Sequence, residues 1–401
     1  MGSSWVATKA VATIEKPTAD TYDILWRDAY TTLIQFIDAT PSIDISPNKT
    51  VLPEDVRGEF YRLFDAARTA FVKENCPAVL SHGLELSQQY KAMQTKIISD
   101  SGLDSVEITG DLSWFLKDPV DGLRRFLFNP LSKLIANQME ILEFEQMASD
   151  RLSSACATLF REGYKNWVAL GIIQRLMPGK SYRTPAIDNT QDVIMGEGHE
   201  NPGGHIGDIP LPQEMPGFSF EQPLIVSFIV PVLALHSQRT SAFVALHTNF
   251  REAEWTARER PEMEWLDIGA LKTEYHLLKL RPDLVKKEWY ELEPILPDMA
   301  LYTASDVNNL SMIADFKYML RPDINIAIMD SAGWEEKVAP EDLKRRLLAL
   351  NPRHGAFIIC REEPSPEAVT TYGNTDSLKL IHVGFDESAL ETVVSLLTPS
   401  S

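Results

Sequence analysis

Apolar residues along this chain recur first at helical and then at strand spacing. Between Pro53 and Glu74, Val56, Phe60, Leu63, Phe64, Ala67 and Phe71 return every three or four positions. That spacing predicts an amphipathic helix. Pro53 stands at its start, and Glu54 and Asp55 lie in its first turn, where negative charge meets the positive end of the helix dipole. A similar face (Ile24, Leu25, Leu33, Phe36 and Ile37) predicts a helix from about Thr21. Further helices are expected over His82–Ser99, Pro130–Met147 and Ser149–Met177, the last with Leu152, Cys156, Leu159, Phe160 and Leu170 on one side. The turn-rich TPSIDISPNKTVLP breaks the first pair. Residues 1–20 show no period and read as a loose arm. Residues 21–177 therefore predict an all-α domain whose helices bury their stripes against one another.

The pattern then changes. Residues 178–223 hold seven prolines and seven glycines, which predicts a linker or an extended surface arm. Residues 224–401 read as an α/β domain. LIVSFIVPVLALHSQRTSAFVALHTNF gives two β-rich runs, with Pro231 marking the first as an edge strand or an interrupted one. The charged stretch that follows is read as mostly helical, with Trp255, Trp265, Tyr275 and Trp289 as packing anchors. Strands are expected at about 299–304, 311–320, 324–330, 355–360 and 378–383. Helices fall near Pro340–Leu350, Pro364–Tyr372 and Glu387–Leu397. The class is α+β multidomain, and strands alternating with short helices predict a mixed, partly parallel sheet flanked by helices.

Composition narrows the function classes. The net charge of −19 over 401 residues is spread through both halves and disfavours broad contact with a phosphate backbone. The three cysteines, Cys76, Cys156 and Cys360, are far apart and form no CxxC pair, so they read as small buried hydrophobes of a reducing compartment. The opening MGSSWVATKA has no signal-peptide pattern. The longest apolar run, Pro223 to Leu235, is too short to cross a bilayer. A cytoplasmic protein with no membrane partner is expected.

Candidate chemistry lies in acidic residues at strand ends. Pro297-Asp298 precedes one strand, Asp315-Phe316-Lys317 sits in the next, and Asp330 closes INIAIMD. Hard divalent cations take oxygen ligands, and a site that shares them with phosphate oxygens needs carboxylates gathered together. The order helix, strand, acidic strand, acidic strand, helix, strand over about 272–383 resembles the core of the restriction-endonuclease-like superfamily, written PD-(D/E)xK. The resemblance implies a Mg²⁺ or Mn²⁺ held by an Asp and a second carboxylate, with a Lys that positions the attacking water.

Two registers of the motif can be written. In the first, Asp298 supplies the PD acid, and Asp315 with Lys317 supplies the DxK. In the second, Asp315 and Asp330 are the metal ligands. Ala332 then stands where the lysine belongs, Lys337 is its substitute, and Glu274 offers a third carboxylate. A missing lysine implies a fold kept and catalysis lost. The plainer alternative is that these aspartates cap turns. Lys344-Arg345-Arg346 could meet a phosphate, with a solvated helix face as the plainer reading. His199 and His205, with Glu197 and Asp208, are ligand types without an established metal spacing. His236 and His247 read as structural. No phosphate-binding P-loop, nucleophile elbow or HExxH is present.

Two functions follow as expectations. One is a non-catalytic interaction or structural subunit of a protein assembly, with a degenerate nuclease-like domain and a protein partner held through the 178–223 arm. The alternative is a divalent-metal-dependent nuclease or phosphodiesterase that uses Asp315 with Asp330 or Asp298, and Lys317 or Lys337.

Overall fold

A computed structural model describes residues 25–183, 213–219, 233–247, 297–307 and 322–397, apart from 48, 102, 109, 349–351, 374 and 376. It also gives the backbone of three short strands at 5–8, 265–267 and 318–320. The chain divides into two compact units. The first takes residues 1–5, 10–92 and 108–164; the second takes 6–9, 93–107 and 165–401.

The first unit is helical. It contains α1 (Trp26–Asp38), α2 (Glu54–Asn75) and most of α3 (Pro77–Ser101). The short α4 (Gly110–Lys117), α5 (Pro119–Arg124) and α6 (Phe128–Ile135) follow, then the first part of α7 (Ile141–Leu176). Of the expected face of α2, Phe60, Leu63, Phe64, Ala67 and Phe71 are in the core, and Val56 is half-buried. Trp26, Phe71 and Phe144 pack as a triangle with centroids 5.2–5.3 Å apart, and Phe71 meets each of the other two edge to face. Asp118 caps α5, accepting from the backbone N–H of Val120 (2.9 Å) and Asp121 (3.2 Å), with Pro119 in the first turn. These contacts satisfy N–H groups that a helix start leaves without partners. The turn-rich stretch before α2 forms a small antiparallel hairpin of β2 (Asp44–Ser46) and β3 (Lys49–Val51).

Two boundaries differ from expectation. The helix expected over Pro130–Met147 ends at Ile135, where Asn137 takes a left-handed φ of 53°, a conformation that Asn tolerates. The break expected at Ala148–Ser149 does not occur. Phe144, Ala148 and Leu152 are buried at intervals of one helical turn, so packing carries α7 straight through a locally turn-favouring Ser-Asp pair.

The second unit is built on a mixed sheet of eight strands, in the order β15-β14-β13-β11-β9-β8-β5-β6. Three of these come early in the chain: β5 (Pro178–Arg183), β6 (Gln213–Met215) and β8 (Leu233–Ser237). They are followed by β9 (Phe243–His247), β11 (Met299–Ala304) and β13 (Ile324–Met329), then β14 (Ala356–Cys360) and β15 (Leu378–His382). Pairing is antiparallel from β6 through β13 and parallel across β13, β14 and β15. Every residue of β13 and β14 is buried. Strands covered on both faces read as continuous apolar runs, and INIAIM and AFIIC nearly do.

Helices α8 (Pro340–Leu348) and α9 (Pro366–Tyr372) supply Leu343, Leu347, Ala368 and Tyr372 to one core. The sheet answers with Ala327, Met329, Ala356, Ile358 and Cys360. The chain ends in helical turns that include α10 (Glu391–Val394). There Leu390 fits against Gly171, and Phe385 meets Trp167 edge to face at 5.2 Å. Lys96 pairs with Glu387, and Arg239 and Arg175 pair with Glu391. A separate three-stranded sheet has the order β1-β4-β7, from Trp5–Thr8, Ser105–Ile108 and Phe218–Ser219.

The sheet takes in the ends of the stretch read as linker. Pro178–Arg183 is an internal strand and Gln213–Met215 pairs with it, with Pro178 at a strand start, where its missing N–H is tolerated. Residues 184–212, including His199, His205, Glu197 and Asp208, lie outside the described residues. Of the first β-rich run, expected to be an edge strand or an interrupted one, the described part is Leu233–Ser237, which is internal to the sheet; Pro231 lies outside the described residues. Within the stretch read as helical, Trp265–Asp267 (β10) is a strand paired with Tyr318–Leu320 (β12). The side chains of Trp255, Trp265, Tyr275 and Trp289 are outside the described residues. No helix among the described residues is long and apolar enough to cross a membrane.

Candidate functional site: the two ends of the parallel strands

The antiparallel pairing of β11 and β13 brings two sequence-predicted acids to one end of the sheet. Asp298 precedes β11 and Asp330 follows β13, beside the carboxyl ends of β14 and β15. In open α/β sheets this is where ligand crevices form. Polar groups collect there.

Asp298 continues the strand ladder. Its N–H donates to the carbonyl of Ile326 (2.9 Å), and its Oδ2 accepts the N–H of Ile328 (2.8 Å). After β13 the chain turns through Gly333, at φ 66°, into a single turn at Trp334–Glu336. Arg361, at the end of β14, has a side chain only 11% exposed. Its Nε donates to the carbonyl of Asp330 (2.8 Å), and its Nη2 pairs with Glu362 (2.6 Å). His382, at the end of β15, has Nε2 3.1 Å from the carbonyl of Arg361. The hydroxyl of Ser365 beside Glu335 holds that carboxyl below its usual range. Ser365 also caps α9, its Oγ accepting from Ala368 N–H at 3.1 Å. These bonds tie the loops after the three parallel strands to one another.

The other end of the same strands carries the most buried acid among the described residues. Asp323 is 3% exposed. Its Oδ2 accepts the backbone N–H of Thr303 (2.6 Å) and the Thr303 hydroxyl (2.8 Å). Its Oδ1 faces Arg353 at 3.8 Å and His354 at 3.9 Å. The backbone of Arg353 and His354 donates in turn to Pro322 and Asp323. Burial pushes the Asp323 carboxyl up from its ordinary value. Thr303, Arg353 and His354 oppose that shift. Beside this network Gly355 adopts φ 82°, where a Cβ would stand 2.6 Å from the carbonyl of Ser377. Pro-Asp-Ile-Asn entering a run of buried residues was the available sequence signal for Asp323, since buried charge needs partners.

The remaining expected residues divide as follows. Asp315, Lys317 and Glu274 lie outside the described residues. The described part of the Asp315 strand is β12, which pairs with β10, while β13 has β11 as its neighbour. Lys337 is exposed at the end of the Trp334 turn, its N–H donating to the Trp334 carbonyl (3.0 Å). Lys344 pairs with Glu341 at 3.6 Å on the exposed side of α8. His236 packs edge-on against Phe243 at 5.0 Å. Cys76, Cys156 and Cys360 are buried and free. Burial raises the thiol of Cys156 to about 11 and that of Cys360 to about 12.

A Mg²⁺ or Mn²⁺ needs several oxygen ligands converging on one point. Among the described residues no three His, Cys, Asp or Glu side chains gather in that way, and one oxygen of Asp298 is taken by a backbone N–H. No protein-family model, curated protein or solved structure matches this chain.

Proposed function

We propose that this chain is a non-catalytic interaction or structural subunit of a protein assembly, built around a nuclease-like sheet that has kept its frame without its chemistry. The observation that carries the reading is the Asp298 carboxylate. Its Oδ2 accepts the N–H of Ile328 and so continues the β11–β13 ladder, which is a structural use of this acid. Arg361 supports the same reading, because its guanidinium joins the Asp330 carbonyl to Glu362. Ala332 at the motif's lysine position agrees with it.

The partner contact is assigned to the Pro/Gly-rich stretch between the strands at 178–183 and 213–215. Pro-rich segments are recognised in grooves of partner proteins. Replacing 184–212 with a Gly/Ser segment of equal length should abolish assembly, and assembly that survives the replacement would overturn this assignment.

The decisive test of the non-catalytic half is a panel of labelled single- and double-stranded DNA and RNA, incubated with Mg²⁺ or Mn²⁺. No cleavage is expected. Metal-dependent cleavage that disappears in Asp330→Asn or Asp315→Asn would overturn it.

A further inference from the structure

The hairpin of β2 and β3 carries a second chemical feature, independent of the sheet. It reads Asp44-Ile45-Ser46-Pro47-Asn48-Lys49-Thr50-Val51. The chain contains five Ser-Pro or Thr-Pro pairs, at Thr40, Ser46, Thr184, Ser365 and Thr398. Only Ser46 has a Lys or Arg three residues after the hydroxyl. We propose that Ser46 is a phosphorylation site for a proline-directed serine/threonine kinase, with a nucleoside triphosphate as co-substrate.

The sequence order matches how such kinases select a hydroxyl. The position after it enters an apolar pocket that offers no acceptor, so a residue with an N–H would bury an unsatisfied donor there. Proline has none. A cation three residues on meets an anionic group of the kinase.

The structure adds accessibility. Every residue of β3 is exposed, and β2 has none that is buried. Pro47, at the turn, is exposed. The Ser46 hydroxyl makes a 3.3 Å bond to the carbonyl of Lys49, and Lys49 a 3.0 Å ion pair with Asp44 between side chains 64% and 55% exposed. A two-stranded ladder of three pairs, without an apolar face of its own, is marginal. The hairpin therefore opens at little cost into the extended form that a kinase cleft takes, while buried Ile43 anchors the chain ahead of it.

The transfer is balanced by the triphosphate. Oγ of Ser46 attacks the γ-phosphorus, and an O–P bond forms as the bond from that phosphorus to the β,γ-bridging oxygen breaks. The diphosphate leaves with the electron pair, and the hydroxyl proton passes to the kinase's carboxylate base. The product carries about −1.5 to −2 charge. It sits across the ladder from Lys49, so it draws that ammonium away from Asp44. The hydroxyl's donation to the Lys49 carbonyl ends.

The test uses the full folded chain with Mg-ATP and a cyclin-dependent kinase, followed by peptide mapping. The expected result is one dominant phosphate, on Ser46, absent from Ser46→Ala and from Pro47→Ala. Lys49→Ala should lower kcat/KM for the transfer by about tenfold or more, the size of a lost charge-assisted contact. Phosphate found only at the other four sites, no incorporation, or an unchanged rate in Lys49→Ala would each overturn the proposal. All three substitutions lie on the exposed hairpin, so folding does not confound the reading.

Discussion

Replacing Asp323 separates its hydrogen bonding from its charge. Thr303 donates two hydrogen bonds to one carboxylate oxygen, at 2.6 and 2.8 Å. Asp323→Ala leaves a buried N–H and a buried hydroxyl without their acceptor. At about 1–3 kcal/mol for each such group, less the relief of no longer burying a charge, the cost is about 2–4 kcal/mol. Asp323→Asn keeps an oxygen for Thr303 and removes only the charge. Arg353 and His354 stand 3.8 and 3.9 Å away with side chains about a third exposed, so the lost attraction is within about 1 kcal/mol. Burial, the largest influence on Asp323, raises its carboxyl in the fold. A folded value above the unfolded one means that the native state binds the proton more tightly. The group's contribution to stability then falls as pH rises from the unfolded value through the folded one. Relative to Asp323→Asn, the wild type should therefore gain stability as pH is lowered through that window. Hydrogen-exchange protection of the β13 and β14 amides between pH 4 and 7, with urea melts of all three proteins, reads both effects. A cost above about 3 kcal/mol for Asp323→Asn at neutral pH, or a wild type that loses ground on acidification, would refute the reasoning.

Other outcomes follow from the packing. Gly122→Ala would place a Cβ 2.5 Å from the backbone Cα of Phe115; since backbone gives way little, a loss of about 1–3 kcal/mol is expected by thermal melting. Ile358→Ala, in the core under α8 and α9, should cost about 2–5 kcal/mol in urea unfolding. Asp298→Ala removes an acceptor from Ile328 N–H and should lower stability by about 1 kcal/mol, read as faster exchange at that amide. With burial raising Cys156 to about 11 and Cys360 to about 12, a thiol reagent at pH 8 should modify neither in the folded chain and both after unfolding.

The elements most legible in the sequence were those whose periodicity and burial agree. Helix α2 and strands β11, β13, β14 and β15 lie within about two residues of their expected limits, because each buries the face its pattern advertises. Reading failed where tertiary contacts outvoted local signals. Ser149-Asp150 looked like a helix start, yet α7 runs through it because Phe144, Ala148 and Leu152 hold one buried line. Pro178 and Gly179 looked like linker. They open a strand whose Ser181 hydroxyl donates to the carbonyls of Met215 and Gly217 at 2.9 Å, across residues far away in sequence. Asp298 and Asp330 were legible as strand-end acids. Their shared end of the sheet depends on β11 and β13 being antiparallel neighbours, which spacing does not encode. The Asp323 network was missed for the same reason, since its partners come from two segments distant in sequence, Thr303 in one and Arg353 with His354 in the other.

The claim that the carboxyl-edge groups serve the architecture is tested most directly by metal binding. Calorimetric titration of the folded chain with Mn²⁺, beside Asp298→Asn and Asp330→Asn, should give the same weak, non-saturating heats in all three proteins. A saturable site in the wild type that disappears in either variant would contradict the account and restore a catalytic reading of the sheet.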